Sequence, residues 1–118
     1  MEIGLTTRAA NRSAWRRWLE RHHGAATEAW LVLQKKNSPY PSVTYDEAVE
    51  EALCFGWIDS QNKTIDEHSY AQRFTPRKLT AQWSANNIER ARRLVEQRRM
   101  TASGLAAMPG EVRARVER

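Results

Sequence analysis

The sequence contains a single cysteine, Cys54, so an intramolecular disulfide is excluded and a reducing compartment is expected. It has no run of about 20 apolar residues of the kind that spans a membrane. Its first residues lack the apolar stretch of a secretory signal. Low-complexity tracts, internal repeats and Gly/Ser-rich linkers are also absent. We therefore expect a cytoplasmic protein whose 118 residues form one domain.

The chain carries an excess of positive charge, and its charged residues are unevenly distributed along the sequence. Lys and Arg outnumber Asp and Glu by 19 to 14, which gives a net charge of +5. Residues 44–70 carry seven acids and one lysine, whereas the flanking segments are basic. This pattern predicts surfaces of opposite charge. The five tryptophans predict an aromatic-rich core.

The first third of the chain reads as a helix followed by a strand. Thr6 or Thr7 is expected to cap a helix with an apolar stripe, which ends before Gly24. Residues 29–33 are continuously apolar and rich in β-favouring side chains. They predict a strand that is buried on both faces, near the middle of a sheet.

The middle of the chain carries the strongest local signals. Thr44 and Glu47 form a capping box for a second helix, which Gly56 ends. Strands are expected at residues 57–63 and 69–75. The alternation of the latter places Tyr70, Gln72 and Phe74 on one face and Ala71, Arg73 and Thr75 on the other. Three further helix starts are predicted, at Ser84, Thr101 and Pro109.

These elements predict an α+β fold in the order roughly α-β-α-β-β-α-α. The sheet is expected to be small and mainly antiparallel, with three or more strands, and to be packed by amphipathic helices.

Two sequence blocks carry a family resemblance. Residues 53–59 read Leu-Cys-Phe-Gly-Trp-Ile-Asp, and residues 73–78 read Arg-Phe-Thr-Pro-Arg-Lys, followed by Trp83. At this separation they resemble the YdeI/OmpD-associated family, also called bacteriocin-protection proteins. Ser60 and Ala81 depart from the usual Gly and Ser of that family, and the chain has a shorter C-terminus than its longer members. The resemblance implies a stress or defence protein that protects against cationic antimicrobial peptides or bacteriocins.

The same blocks suggest a candidate ligand pocket of two indoles, one carboxylate, three cations and a helix cap: Trp57, Asp59, Arg73, Arg77, Lys78, Trp83 and Ser84. Arginine binds carboxylates and phosphates bidentately, and a helix N-terminus favours anions. These residues predict a pocket for an anionic or planar ligand. The alternative is structural, with Arg73 or Arg77 paired with Asp59 across the sheet and both tryptophans in the core.

The acidic middle segment suggests a candidate peptide-binding surface, formed by Asp46, Glu47, Glu50, Glu51, Asp66 and Glu67. Such a surface complements a cationic peptide. The alternative is a solvated helix face, which is ordinary on an amphipathic helix. On the second helix, all four carboxylates are expected to lie off the buried stripe.

The sequence gives little support for a catalytic cysteine or a metal site. Cys54 lies at a predicted helix C-terminus, where the dipole raises rather than lowers the pKa of a thiol. His22 and His23 lack further ligands at metal-binding spacing, so no metal and no cofactor is expected. The arginines of residues 90–99 are interrupted by Glu89 and Glu96, which makes nucleic-acid binding by the basic C-terminal helices a weaker alternative.

We therefore expect a non-enzymatic stress or defence protein that binds a cationic peptide or another protein. The first alternative is a small anionic-ligand binder or enzyme that uses the region of Asp59, Arg73, Arg77 and Trp83. Nucleic-acid binding is the second alternative. The oligomeric state stays open.

Overall fold

The computed structural model describes residues 3–117. Its elements are β1 (Thr6–Arg8), α1 (Arg12–His22), β2 (Ala29–Gln34), α2 (Tyr45–Cys54), β3 (Trp57–Thr64), β4 (Ser69–Pro76), α3 (Ala85–Glu96), α4 (Ala102–Ala106) and α5 (Gly110–Val116). This arrangement confirms the predicted α+β fold. Within residues 3–117, no helix combines the length and the apolar character needed to cross a membrane.

The four strands form one sheet in the order β1-β2-β4-β3. β2 pairs antiparallel with β4, and β4 pairs antiparallel with β3, so the predicted mainly antiparallel sheet is confirmed. The predicted strand at 29–33 is confirmed as β2, which is buried on both faces. β1 runs parallel to β2 and was not predicted.

The start of α1 differs from the prediction. Thr6 and Thr7 lie in β1 rather than at a helix cap. The N-cap is Asn11, whose side chain accepts a hydrogen bond from the Ala14 amide at 2.9 Å. The remaining predicted caps are confirmed for α2, α3 and α4, with Thr44, Ser84 and Thr101 as N-caps.

A sharp turn connects α2 to β3. Gly56 has a φ of 78°, which a residue with a side chain rarely adopts. A Cβ atom there would lie 2.9 Å from the Cβ atom of Ala107. The Gly56 carbonyl accepts a hydrogen bond from the Arg77 amide at 2.8 Å. The turn therefore joins the start of β3 to the end of β4.

The helices pack on one face of the sheet. Leu31, Leu33 and Phe74 point to this face and join a cluster with buried residues of the helical layer. Trp15 contributes to it and stacks on Trp18 with ring centroids 5.3 Å apart. Trp30 lies on the opposite face and is buried without joining that cluster. The main core cluster is therefore aromatic-rich and lies on the helix-facing side of the sheet.

Candidate functional site

On the helix-facing side of the β3–β4 hairpin, apolar side chains give way to polar ones. Trp57 and Phe74 belong to the core, whereas the next inward positions along the two strands are Asp59 and Gln72. The following positions are also polar, with Asn62 paired to Gln72 and Thr64 paired to Tyr70. This half of the face opens into a cleft instead of packing under a helix.

The cleft has a volume of about 520 Å³. Its lining residues are Lys35, Tyr45, Asp59, Ser60, Asn62, Thr64, Tyr70 and Gln72. A second lobe of about 670 Å³ runs along residues 34–45 and shares Lys35, Tyr45 and Tyr70 with the first. The second lobe is also lined by Tyr40, Pro41 and Val43. We call the two lobes together the tyrosine cleft.

A β-bulge shapes the floor of the first lobe. β3 advances three residues from Asp59 to Asn62 while β4 retreats two, from Phe74 to Gln72. A bulge bends the strand and redirects its side chains, and such bulges are common beside functional sites. Gln72 is only 1% exposed, and its Nε2 donates to the Gln61 carbonyl at 3.0 Å. The buried amide thus holds the bulge in place.

Tyr45 and Asp59 face each other across the cleft. The Tyr45 hydroxyl donates to Asp59 Oδ2 at 2.5 Å. Tyr45 is the first residue of α2, so the Thr44 capping box fixes its position. Burial, together with the hydrogen bond and charge of Asp59, raises the pKa of Tyr45 to about 12. The phenol therefore stays protonated at neutral pH and orients the carboxylate.

Lys35 lines both lobes of the cleft. Its Nζ donates to the Asp66 carbonyl at 3.1 Å, and its backbone amide donates to the His68 carbonyl at 2.7 Å. Asp66 caps the same turn, since its Oδ1 accepts from the amides of His68 and Ser69. The hydrogen bonds that Asp66 accepts from the His68 amide, the Ser69 hydroxyl and the Ser69 amide lower its pKa. The loop after β2 is thereby tied to the β3–β4 turn.

The structure separates the residues of the predicted ligand pocket. Trp57 is buried in the core, and Asp59 lines the tyrosine cleft. Arg73 points to the opposite face of the sheet, where its Nε donates to Glu28 at 2.8 Å. Arg73 therefore pairs with Glu28 rather than with Asp59.

The other members of that pocket lie on the connection between β4 and α3. Arg77 is only 7% exposed, and its guanidinium carbon lies 4.1 Å from the centroid of the Trp83 ring. Ser84 caps α3 and accepts a hydrogen bond from the Asn87 amide at 3.1 Å. Lys78 is exposed. Arg77, Trp83 and Ser84 thus remain neighbours, while the tyrosine cleft is lined by other residues.

Glu51, a member of the predicted acidic surface, is fully buried. Its carboxylate forms ion pairs with Arg12, Arg16 and Arg99. The prediction that Glu51 lies on the exposed side of α2 was wrong, because the arginines of α1 cover it.

The other acidic residues lie nearer the surface and have partners. Glu50 pairs with Arg12, Asp46 with Arg90 and Glu67 with His68, while Glu47 closes the capping box and Asp66 caps its turn. These contacts leave less free negative charge than the sequence indicates. Peptide capture by this surface stays a prediction.

Residues suited to metal binding or nucleophilic chemistry are not assembled into a site. No group of three or more His, Cys, Asp or Glu side chains within residues 3–117 is arranged to hold a metal ion. Burial raises the pKa of Cys54 to about 11, so little thiolate exists at neutral pH. His23 is engaged at the end of α1, where its ring contacts the Leu19 carbonyl and the Ser103 hydroxyl.

Several residues of the tyrosine cleft were not predicted as site residues, namely Lys35, Tyr45, Tyr70 and Gln72. One signal was present, because Gln72 and Tyr70 share a strand face with the core residue Phe74. Tyr45 gave no such signal, because it stands at the start of α2 and is 41% exposed. A polar residue in a core-facing register is the pattern that could have indicated a cleft.

Comparison with known proteins gives a family without an activity. The family described as Domain of unknown function (DUF8412) matches residues 7–107. Searches of curated proteins and of solved structures returned no match. The resemblance to the YdeI/OmpD-associated family stays a prediction.

Proposed function

This chain belongs to the family described as Domain of unknown function (DUF8412), and because that description assigns no activity, we propose a function from the geometry: the protein binds a small ligand in the tyrosine cleft without catalysing a reaction. The ligand class is an uncharged molecule that combines hydroxyl or amide groups with a flat face. Ligand pockets typically enclose about 300 to 1,000 Å³, and each lobe falls in this range.

The observation that carries this proposal is the polar character of core-facing positions. Asp59, which is half-buried, and Gln72, which is buried, continue the strand faces of the core residues Trp57 and Phe74, and the exposed Asn62 lines the cleft beyond them. Gln72 donates a hydrogen bond within the bulge and Asp59 accepts one from Tyr45, so both polar groups are held in place at the cleft. Tyr45 and Tyr70 add flat walls with polar tips, which suit a ring that carries hydroxyl groups. The cleft thus offers both stacking surfaces and hydrogen-bonding groups to one ligand.

The chemistry of the cleft favours binding over catalysis. A general acid or base works best with a pKa near the operating pH, and Tyr45, with a pKa of about 12, lies far from it. Cys54 does not line either lobe. The cleft side chains therefore act as hydrogen-bond partners.

Capture of a cationic peptide is the second candidate function. It is favoured by the Asp59 carboxylate, which shares the cleft with the rings of Tyr45 and Tyr70, since aromatic rings can also contact a cation. In this case the protein would serve in antimicrobial-peptide resistance as a stress-response or bacteriocin-protection protein. A cytoplasmic location, supported by the unpaired Cys54, would restrict capture to peptides that have entered the cell.

A backbone amide chemical-shift titration tests both candidates. The probes are N-acetylglucosamine and adenosine for the first function and a lysine-rich amphipathic peptide for the second. We expect saturable shifts at Asp59, Asn62 and Tyr70 with at least one small probe. If both small probes leave the cleft signals unchanged and the peptide moves them, the second candidate replaces the first.

Asp59→Asn is the diagnostic variant, and Asp46→Asn is its matched control. Both substitutions remove one negative charge, but Asp46 lies outside the cleft and its side chain is 75% exposed. Loss of a hydrogen bond to a charged group costs about 1.5 to 3 kcal/mol, so Asp59→Asn should weaken binding about 10-fold or more. Equal weakening by both variants would show that the loss is not specific to the cleft and would contradict the cleft assignment.

A further inference from the structure

Arg77 is a buried cation without a carboxylate partner. It follows β4 directly, and its backbone amide is held by the Gly56 carbonyl. Only 7% of the residue is exposed. Within residues 3–117, no Asp or Glu oxygen lies within ion-pair distance of its guanidinium, although Asp59 is close enough to be felt electrostatically. Burial accordingly lowers the pKa of Arg77, in contrast to Arg12 and Arg16 beside Glu51.

Two buried hydrogen-bond donors in this place have no acceptor. The Arg77 guanidinium donates through Nη1 to the Gln82 carbonyl at 3.1 Å, but its Nε has no partner. The indole Nε1 of Trp83, against which the guanidinium lies, is also covered and unpartnered. Buried donors nearly always find an acceptor. Two such donors on contacting side chains therefore indicate that an acceptor belongs there.

A groove adjoins this pair. It has a volume of about 450 Å³ and lies between the β4–α3 connection, α3 and α5. Gln82 and Trp83, which the Arg77 guanidinium contacts, both line it. Apolar walls come from Leu79, Ile88 and Val112. None of the lining residues belongs to the tyrosine cleft.

We propose that this groove is a second binding site, which takes a small carboxylic acid with an apolar body. The carboxylate accepts hydrogen bonds from Arg77 Nε and Trp83 Nε1, and the apolar body lies between Leu79 and Val112. A monoanion fits better than a dianion, because the groove is lined by Glu111 as well as Arg115, and Asp59 partly offsets the charge of Arg77. Residues 79–82 form neither helix nor strand and are the part of the wall that yields to admit the ligand.

Side-chain NMR signals report directly on the two donors. The indole Nε1–H signal of Trp83 is assigned with Trp83→Phe and the Nε–H signal of Arg77 with Arg77→Lys. The probe is sodium benzoate, which replaces sodium chloride at constant ionic strength, and benzyl alcohol is the uncharged counterpart. We expect benzoate to move both signals along one saturation curve. Absence of movement in the wild-type protein at tens of millimolar benzoate would overturn the proposal.

Two comparisons distinguish carboxylate recognition from apolar contact. If benzyl alcohol moved the Nε–H and Nε1–H signals as far as benzoate does, the groove would be an apolar site and the proposal would be wrong. Arg77→Lys should weaken benzoate binding about tenfold or more, because lysine lacks the Nε–H group and cannot lie flat on the indole. Arg73→Lys is the matched control and should leave the affinity unchanged, since Arg73 pairs with Glu28. Equal loss in the two variants would also overturn the proposal.

Discussion

Glu51 joins three parts of the chain through one buried carboxylate. It lies in α2 with no exposed area, and its oxygens contact Arg12 Nε at 2.5 Å, Arg16 Nη1 at 2.8 Å and Arg99 Nη1 at 3.4 Å. Arg12 and Arg16 belong to α1, whereas Arg99 follows α3. Arg16 also donates to the Arg99 carbonyl at 2.9 Å. The carboxylate therefore organises the packing of helices and carries no free charge for a ligand.

Replacement of Glu51 by glutamine should destabilise the protein strongly. Removal of one partner from a buried ion pair costs about 3 to 5 kcal/mol, and we expect the lower end because the arginine side chains are 23 to 41% exposed. Urea denaturation measures the change in the free energy of unfolding. Glu50→Gln is the matched control, because among residues 3–117 Glu50 pairs with a single arginine, Arg12, and its side chain is 21% exposed. A loss of about 1 kcal/mol or less is expected there, and similar losses for both variants would contradict the role assigned to Glu51.

The hydroxyl of Tyr45 should resist deprotonation in the folded protein. Its pKa is raised from 10.0 to about 12, first by burial and then by its hydrogen bond to Asp59. A pKa raised on folding stabilises the protein fully below pH 10, and this contribution is lost as the pH rises from about 10 to about 12. The difference in tyrosinate absorbance between wild type and Tyr45→Phe should have its midpoint near pH 12. Asp59→Asn should move that midpoint towards 10, and an unchanged midpoint would rule out the Asp59 contribution.

At the scale of elements, the helices with local caps could be predicted from sequence. Thr44 and Glu47 satisfy each other's backbone partners within one turn, so the start of α2 needs no information from elsewhere in the chain. Ser84 and Thr101 work in the same way for α3 and α4. Gly56 could also be placed, because only a glycine easily supports the turn that ends α2.

Elements that depend on distant partners were not predictable in this way. β1 is three residues long and exists because Thr6 and Arg8 lie beside Trp30 and Val32 of β2. Thr6 and Thr7 are good helix caps by local criteria, so the parallel pairing, which is non-local, overrode that preference. Glu51 was misplaced for the same reason, since its burial depends on arginines 35 and 39 residues away.

The candidate sites show a similar limit. The strand alternation correctly separated Arg73 from Gln72 and Tyr70, yet the pocket was assembled from residues close together in sequence. The tyrosine cleft instead combines a loop after β2, the first residue of α2 and the inward face of a bulged hairpin. A bulge has no reliable sequence signature here, and it is what places Asn62 opposite Gln72. Arg77 and Trp83 were predicted to lie in the same pocket, but the stacking of the guanidinium on the indole was not predicted.

In the whole molecule, the helices pack on one side of the sheet, and the loops that connect the elements form the walls of both candidate sites. Both candidate sites lie where a connection meets the rigid layer: residues 35–44 border the tyrosine cleft, and residues 79–83 border the groove beside Arg77. Binding residues are often found on loops held by a stable scaffold. The main core cluster of sheet and helices provides that scaffold.

The net charge of +5 is also a property of the whole molecule, and its distribution bears on nucleic-acid binding. Arg90, Arg92 and Arg99 each contact a carboxylate, namely that of Asp46, Glu89 and Glu51. Arginines that already pair with carboxylates gain less from a phosphate. The basic C-terminal region therefore does not present an uninterrupted cationic face.

We expect only weak, non-specific binding to nucleic acid. The logarithm of the binding constant falls against the logarithm of salt concentration with a slope of about −0.9 per phosphate neutralised, and dedicated proteins make about 6 to 10 such contacts. Fluorescence anisotropy with a labelled duplex should give a slope shallower than about −3, because Arg90, Arg92, Arg99 and Arg113 already pair with carboxylates. Arg93→Gln tests an exposed arginine of α3, and Arg113→Gln is its control in α5, where Arg113 pairs with Glu117. A steep slope that Arg93→Gln reduces by about one unit, with no change for Arg113→Gln, would instead make α3 a phosphate-contacting helix.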